Sequence, residues 1–149
     1  WQDKKRIHPK GNRNTPGAGA AGGIGYAFMM FLNGMLRPGI DIILDEIGLE
    51  EKITQADLVI TGEGRLDAQT LMGKTPAGVA SLAKKYHKRV LAIAGCFGDD
   101  VIQCKQSGLF DDCLAVKDIL SEQEQIHAME KRNATAHLQK LVKQYFVNW

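Results

Sequence analysis

The chain has no CxxC pair, no long apolar run and no marked excess of either charge sign, and each absence removes a class of function. Its three cysteines, Cys96, Cys104 and Cys113, are spaced eight and nine apart. Structural zinc sites take paired ligands at close spacing, so this pattern argues against zinc. A sparse, odd count without a signal peptide points to a reducing cytoplasm. A membrane-spanning helix needs roughly 18 or more consecutive apolar residues, and no window approaches that. The 19 basic and 17 acidic residues leave a formal charge of +2, too small to argue for nucleic acid. Basic residues gather only at Lys4, Lys5 and Arg6 and at Lys84, Lys85, Lys88 and Arg89, and both groups read as solvated faces. His8, His87, His127 and His137 are dispersed without spaced partners, and neither Ser81 nor the cysteines have a local base. Nucleophilic catalysis therefore has no support.

What is present fits one soluble globular domain: 149 residues, 44% hydrophobic and 24% charged. Residues 17–36 open with glycine and become amphipathic, with Ile24, Ala27, Phe28, Phe31 and Met35 at helical spacing and expected to face the core. Arg37-Pro38-Gly39 stops that helix. A second helix puts Ile40, Ile43, Leu44 and Ile47 on one face, and Gly48 is placed to close it in the left-handed conformation. Asp57 to Thr61 reads as a short buried strand and Arg89 to Ala94 as the next, ending at Gly95. A helix over 76–85 has Thr75 as its N-cap and Pro76 at its first position, with Val79, Leu82, Ala83 and Tyr86 as its buried stripe. A short helix is expected over 101–107 and a short strand near Cys113 to Val116. Ser121 to Glu124 forms a capping box ahead of a long final helix carrying Ile126, Met129, Ala134, Leu138, Leu141, Val142 and Tyr145. Helices alternating with short, continuously apolar strands predict an α/β fold, a three-layer parallel sheet with helices on both faces.

The densest chemistry lies in residues 61–75, TGEGRLDAQTLMGKT. Here two carboxylates (Glu63, Asp67), a guanidinium (Arg65), an amide (Gln69), an ammonium (Lys74) and three glycines follow a strand and precede a helix. A mere connection in such a fold usually takes about two to six residues. Loops at the carboxyl ends of parallel strands are where ligands bind, so an anionic ligand with a metal is expected there. Gly73-Lys74-Thr75 resembles the end of a Walker A loop, but position 68 is Ala68 where that motif needs glycine, so a P-loop is rejected. Lys74 still stands at a helix start, where ammonium and N–H groups can converge on one phosphate. Glu63 and Asp67 are hard oxygen ligands suited to Mg²⁺, and either could instead accept a proton from an attacking hydroxyl. Arg65 could alternatively pair with them as a structural clamp.

A second segment, PGAGAAGGIG over residues 16–25, places Gly17, Gly19 and Gly22 at G-x-G-x-x-G spacing. A dinucleotide fingerprint needs a strand immediately before it, whereas Asn12 to Thr15 is polar and Pro16 intervenes. An anion-binding helix start is preferred, with close helix packing through small residues as the alternative.

Read together, PGAGAAGGIGYAFMMFL, LRPGIDIIL, DLVITGEGRLDAQTLMGKTPAGVA and VLAIAG closely resemble the bacterial-type glycerate kinase (glycerate 2-kinase) family, over residues 16–116 most strongly. The resemblance implies transfer of the γ-phosphoryl group of ATP, with Mg²⁺, to a hydroxyl of D-glycerate. It implies a Rossmann-like or flavodoxin-like portion of a two-domain glycerate kinase. On that basis residues 1–15 are a linker or the tail of a preceding segment, and 16–149 form the carboxyl-terminal α/β domain. Asp67 and Glu63 would be metal ligands or the base, with Lys74 and Arg65 as anion clamps completing the catalytic set. Gly17, Gly19, Ala20, Gly22, Gly23, Gly62, Gly64, Gln69, Gly73 and Thr75 would bind substrate or phosphate.

The implied partners are ATP, D-glycerate and the missing amino-terminal part of the enzyme, with a homodimer left open. Nucleic acid and membrane are not among them, and the implied location is cytoplasmic. Lacking half of the interdomain cleft, the chain alone is expected to be weakly active or inactive. A non-catalytic nucleotide- or phosphate-binding module is the first alternative. An NAD-dependent oxidoreductase and a structural fragment that completes a partner domain are the others.

Overall fold

The computed structural model describes residues 12–126 and 131–147. The chain divides into two compact units, the second beginning at Ile40. His8, His127 and Met129 lie outside the described residues.

In the first unit, residues 12–19 form turns, without the preceding strand that a dinucleotide fingerprint needs. Helix α1 spans Ala20–Phe31, but Ala21, Gly22 and Gly23 all take left-handed φ/ψ, so regular helix begins only at Ile24. Gly22 and Gly23 tolerate that conformation because they lack a Cβ. The buried face differs from the one predicted. Tyr26 and Met30 pack with Ala18, while Ile24, Phe28 and Phe31 are exposed, and Met35 is 81% exposed. The run YAFMMFL is apolar around most of its circumference, so periodicity alone does not select a face.

The second unit holds α2 (Gly39–Glu46), α3 (Leu49–Gln55), β1 (Leu58–Leu66), α4 (Thr75–Lys85), β2 (Arg89–Phe97), α5 (Ile102–Gln106), β3 (Asp112–Ala115), α6 (Glu122–Ile126) and α7 (Lys131–Phe146). The strands form one parallel sheet in the order β1-β2-β3. One sheet face carries the main core. Val59, Val90, Ala92 and Ala94 pack there against Ile53 of α3, Ala80 and Ala83 of α4, and Cys104 of α5. Each fully buried aliphatic side chain in such a core contributes roughly 1.5–3 kcal/mol. Across the other face, Ala134 and His137 of α7 line a cavity with Gly64 and Gly95. This is the predicted α/β arrangement of a parallel sheet with helices around it. Among the described residues no helix is long and apolar enough to cross a membrane.

Two expectations change in detail. Gly48 has the expected left-handed conformation, but it opens α3, a helix the sequence pattern did not reveal. The segment after Thr61 is strand rather than loop: β1 continues through Gly62, Glu63, Gly64 and Arg65 to Leu66. Its backbone pairs with β2 as far as Leu66↔Phe97, which satisfies its N–H and C=O groups despite poor β propensity.

The capping box at α6 forms as predicted, with Ser121 N–H donating to Glu124 Oε2 at 2.8 Å and Glu124 N–H to Ser121 Oγ at 3.3 Å. Lys140 of α7 donates to the same carboxylate at 3.0 Å. The Ser121 backbone N–H, then Lys140 and the Ser121 hydroxyl, bring the Glu124 carboxyl down from 4.5 to about 2. A group depressed in the folded state stabilises above its unfolded value and loses that contribution as pH falls. The contact between Glu124 and α7 is therefore expected to loosen between pH 4.5 and about 2. In Glu124→Gln the loss of melting temperature over that window is expected to be smaller than in the parent chain, as read by circular dichroism.

Candidate active site

The functional residues of 61–75 converge because β1 ends where α4 begins. Asp67 caps a 3-10 turn over Ala68–Met72. Gln69 N–H donates to Asp67 Oδ1 at 3.0 Å, and Asp67 N–H donates to Thr70 Oγ1 at 3.2 Å. The Thr70 hydroxyl in turn donates to Glu63 Oε1 at 2.5 Å. Thr70 is fully buried, so its hydroxyl joins the Glu63 carboxylate to the Asp67 backbone N–H from inside the fold. Gly73 then takes φ 90°, a left-handed turn that brings the chain into α4, with Lys74 rather than Thr75 as N-cap.

Lys74 Nζ lies 3.9 Å from Glu63 Oε2 and 3.7 Å from Asp67 Oδ1. Arg65 Nε lies 3.6 Å from Asp67 Oδ2. The two carboxylate side chains are 20% and 17% exposed, the Lys74 side chain 40%. Exposed pairs at such distances contribute about 0–1 kcal/mol, too little to hold Lys74 against a better anionic partner. The first turn of α4 leaves the N–H groups of Thr75 and Ala77 without intrahelical acceptors beside that ammonium. A cleft of about 450 Å³ is lined by Gly62, Glu63, Gly73, Lys74, Thr75 and Pro76 together with Ile40 and Ile43 of α2. Ile43, assigned to the core from periodicity, is 57% exposed and forms a wall of this cleft instead.

The loop bearing Asp67 is held from behind by the segment after β2. Gly98 N–H donates to Leu66 O at 2.8 Å, Ala68 N–H to Asp100 Oδ1 at 3.1 Å, and the Cys104 thiol to Asp67 O at 3.0 Å. Burial raises the Cys104 thiol pKa, with the charges of Asp67, Asp100 and Glu63 adding to the effect against the Thr70 hydrogen bond, so it remains a donor. Gly98 and Asp100 carry no motif in the sequence and Cys104 reads there as a thiol without a role, because their contacts join residues more than thirty positions apart.

Other predicted site residues lie elsewhere. Gln69 is exposed, and its backbone rather than its amide makes the contact to Asp67. Gly64 lines the cavity on the α7 side. In the first unit, Gly22 and Gly23 line a cleft of about 260 Å³ with Ala21, Ile24 and Phe31, while Gly17 borders a different one with Thr15, Leu36 and Arg37. Gly19 and Ala20 are exposed and line neither cleft.

Among the described residues no group of three or more His, Cys, Asp or Glu is disposed to hold a metal ion. The donor set still suits Mg²⁺, which often uses only one or two carboxylates and completes its shell with phosphate oxygens and water. Lys74 stands between the two carboxylates, so they fit a metal arriving with a phosphate, to which Lys74 can turn, better than a bare cation.

A family model described as the glycerate kinase family matches residues 3–147, beginning ahead of the glycine-rich turn and running through α7. Glycerate 2-kinase of Escherichia coli (strain K12) is 52% identical over 106 residues, covering 71% of this chain and 28% of that protein. Glycerate kinase of Bacillus subtilis (strain 168) is 50% identical over 97 residues, covering 65% and 25%. A crystal structure described as glycerate kinase 2 from Salmonella typhimurium LT2 aligns with TM-score 0.53 at 40% identity, covering 83% of this chain and 33% of that one. The chain thus spans about a quarter to a third of the length of these relatives.

Proposed function

The chain belongs to the glycerate kinase family, and from that premise we propose that it supplies one wall of a site transferring the γ-phosphoryl group of MgATP to a hydroxyl of D-glycerate. The observation that carries this reading is the meeting of Lys74 with Glu63 and Asp67, beside a cleft that Lys74 and Glu63 line. Phosphoryl transfer asks a protein mainly for positioning and for charge to balance the phosphate oxygens. Lys74 and the adjoining N–H groups of α4 supply positive charge and donors for a phosphate. Arg65 supplies a second cation beside Asp67. Glu63 would hold Mg²⁺, which when bound neutralises negative charge on the nucleotide phosphates, leaving Asp67 for the proton.

In this scheme the Asp67 carboxylate takes the proton from the attacking glycerate hydroxyl. The new O–P bond forms as the bond from the γ-phosphorus to the bridging oxygen breaks, its electron pair leaving on ADP. The Thr70 hydroxyl holds Glu63 and the Asp67 turn in fixed relation while this occurs. Ile40 and Ile43 give the cleft an apolar wall.

The facing part of the cleft would come from the portion of the relatives outside the match. The 149-residue chain alone is accordingly expected to show little or no turnover in a coupled ATP/glycerate assay, with activity appearing once that portion is added. Full turnover by the chain alone would contradict the need for a facing part. No turnover from a well-formed mixture would favour a phosphate-binding module.

A further inference from the structure

We propose that Gly98 and Asp100, at the turn after β2, are positioning residues that set the place of the Asp67 carboxylate. The inference rests on the reading of Asp67 as the reacting carboxylate. Three contacts tie the back of the Asp67 loop to this segment, and they touch successive residues: Leu66 O, Asp67 O and Ala68 N. The backbone is therefore fixed on both sides of Asp67 by residues that do not face the cleft.

Gly98 adds a steric limit. A Cβ at position 98 would stand 2.7 Å from Asp67 Cβ and 3.1 Å from Arg65 Nε. Arg65 is long and can swing away, but Asp67 Cβ is fixed to the backbone and can yield only if the loop moves. The absence of a side chain at 98 thus sets how closely the β2 turn supports the carboxylate. Asp100 works through an acceptor oxygen, not through charge at the reacting atoms: its Oδ1 takes the Ala68 N–H. An amide oxygen at the same place can accept the same bond, which separates this role from a general loss of structure.

The test compares Gly98→Ala, Asp100→Ala, Asp100→Asn and Asp67→Asn. Turnover is read on the chain mixed with the portion of the Escherichia coli relative outside the match, and amide exchange is read on the chain alone. Displacing a reacting group by roughly 1 Å costs about 10²-fold, so Gly98→Ala and Asp100→Ala are expected to lower kcat by about that factor. KM for ATP and glycerate is expected to stay within about twofold, the pattern of a lost transition-state interaction and not of lost binding. Asp100→Asn is expected to keep kcat near that of the parent chain.

On the chain alone, the Ala68 N–H is expected to exchange faster in Asp100→Ala and at the parent rate in Asp100→Asn. Parent kcat in Gly98→Ala and Asp100→Ala, with Asp67→Asn inactive, overturns the proposal. Parent turnover in Asp67→Asn overturns instead the assignment of Asp67. In that case unchanged Ala68 exchange in Asp100→Ala would overturn the buttress as well.

Discussion

Asp67→Asn is expected to lower turnover by about 10²- to 10⁴-fold, the span that loss of a positioned proton acceptor typically costs, while leaving the fold intact. The substitution separates charge from structure. Asn is as good an N-cap as Asp, so its side-chain oxygen can still accept the Gln69 N–H that starts the 3-10 turn. The bond from the Asp67 backbone N–H to the Thr70 hydroxyl does not use the Asp67 side chain and survives. What disappears is the negative charge 3.7 Å from Lys74 and 3.6 Å from Arg65, and with it proton acceptance. The measurement is kcat in the coupled assay on the reconstituted enzyme, with the melting temperature of the chain as the control. A melting temperature near that of the parent together with a collapsed kcat supports the role. A kcat close to that of the parent removes Asp67 from the chemistry.

Gly62→Ala is expected to damage the fold itself. A Cβ at position 62 would stand 2.2 Å from the carbonyl oxygen of Ile93, its register partner on β2. That oxygen belongs to a central strand of the sheet and cannot rotate away as a side chain would. Inserting one carbon into a filled space typically costs about 1–3 kcal/mol, and a rigid backbone neighbour argues for the top of that range. At roughly 2–4 °C per kcal/mol for a chain of this size, the melting temperature is expected to fall by about 6–12 °C. Because Gly62 precedes Glu63 and lines the same cleft, nucleotide binding is expected to weaken with it. A melting temperature unchanged in Gly62→Ala would mean that β1 and β2 are not joined as described.

Most of the architecture was legible because its signals are local. Apolar runs of strand length gave β1, β2 and β3, and Pro76 with Val79, Leu82, Ala83 and Tyr86 at helical spacing gave α4, although its fully buried face runs through Ala77, Ala80 and Ala83. Ser121 and Glu124 gave the start of α6. The errors have physical causes. TGEGRL reads as loop because glycine and charged residues disfavour strands, yet parallel pairing with β2 overrides that preference. The face of α1 was misassigned because the helix is apolar on two sides, and the stripe through Tyr26 and Met30 meets Ala18.

In the site, Glu63, Asp67 and Lys74 were recognisable by type and by their place between strand and helix. Thr70 carried a signal that went unread: Asp67 and Thr70 have the spacing of a reciprocal cap, which the structure forms. Gly98, Asp100 and Cys104 carried no comparable signal. Their contribution depends on β2 running beside β1 and returning the chain behind Asp67.

The central claim is that the cleft between β1 and α4 receives the transferred phosphoryl group. The most direct measurement is a crystal structure of the chain, combined with the remaining portion of a relative, soaked with D-glycerate and a non-hydrolysable magnesium nucleotide. The terminal phosphate is expected within hydrogen-bonding distance of Lys74 Nζ and the N–H groups that open α4, with Mg²⁺ touching Glu63. Well-occupied nucleotide whose terminal phosphate lies away from Lys74, with Glu63 and Asp67 still paired to it, would contradict the account.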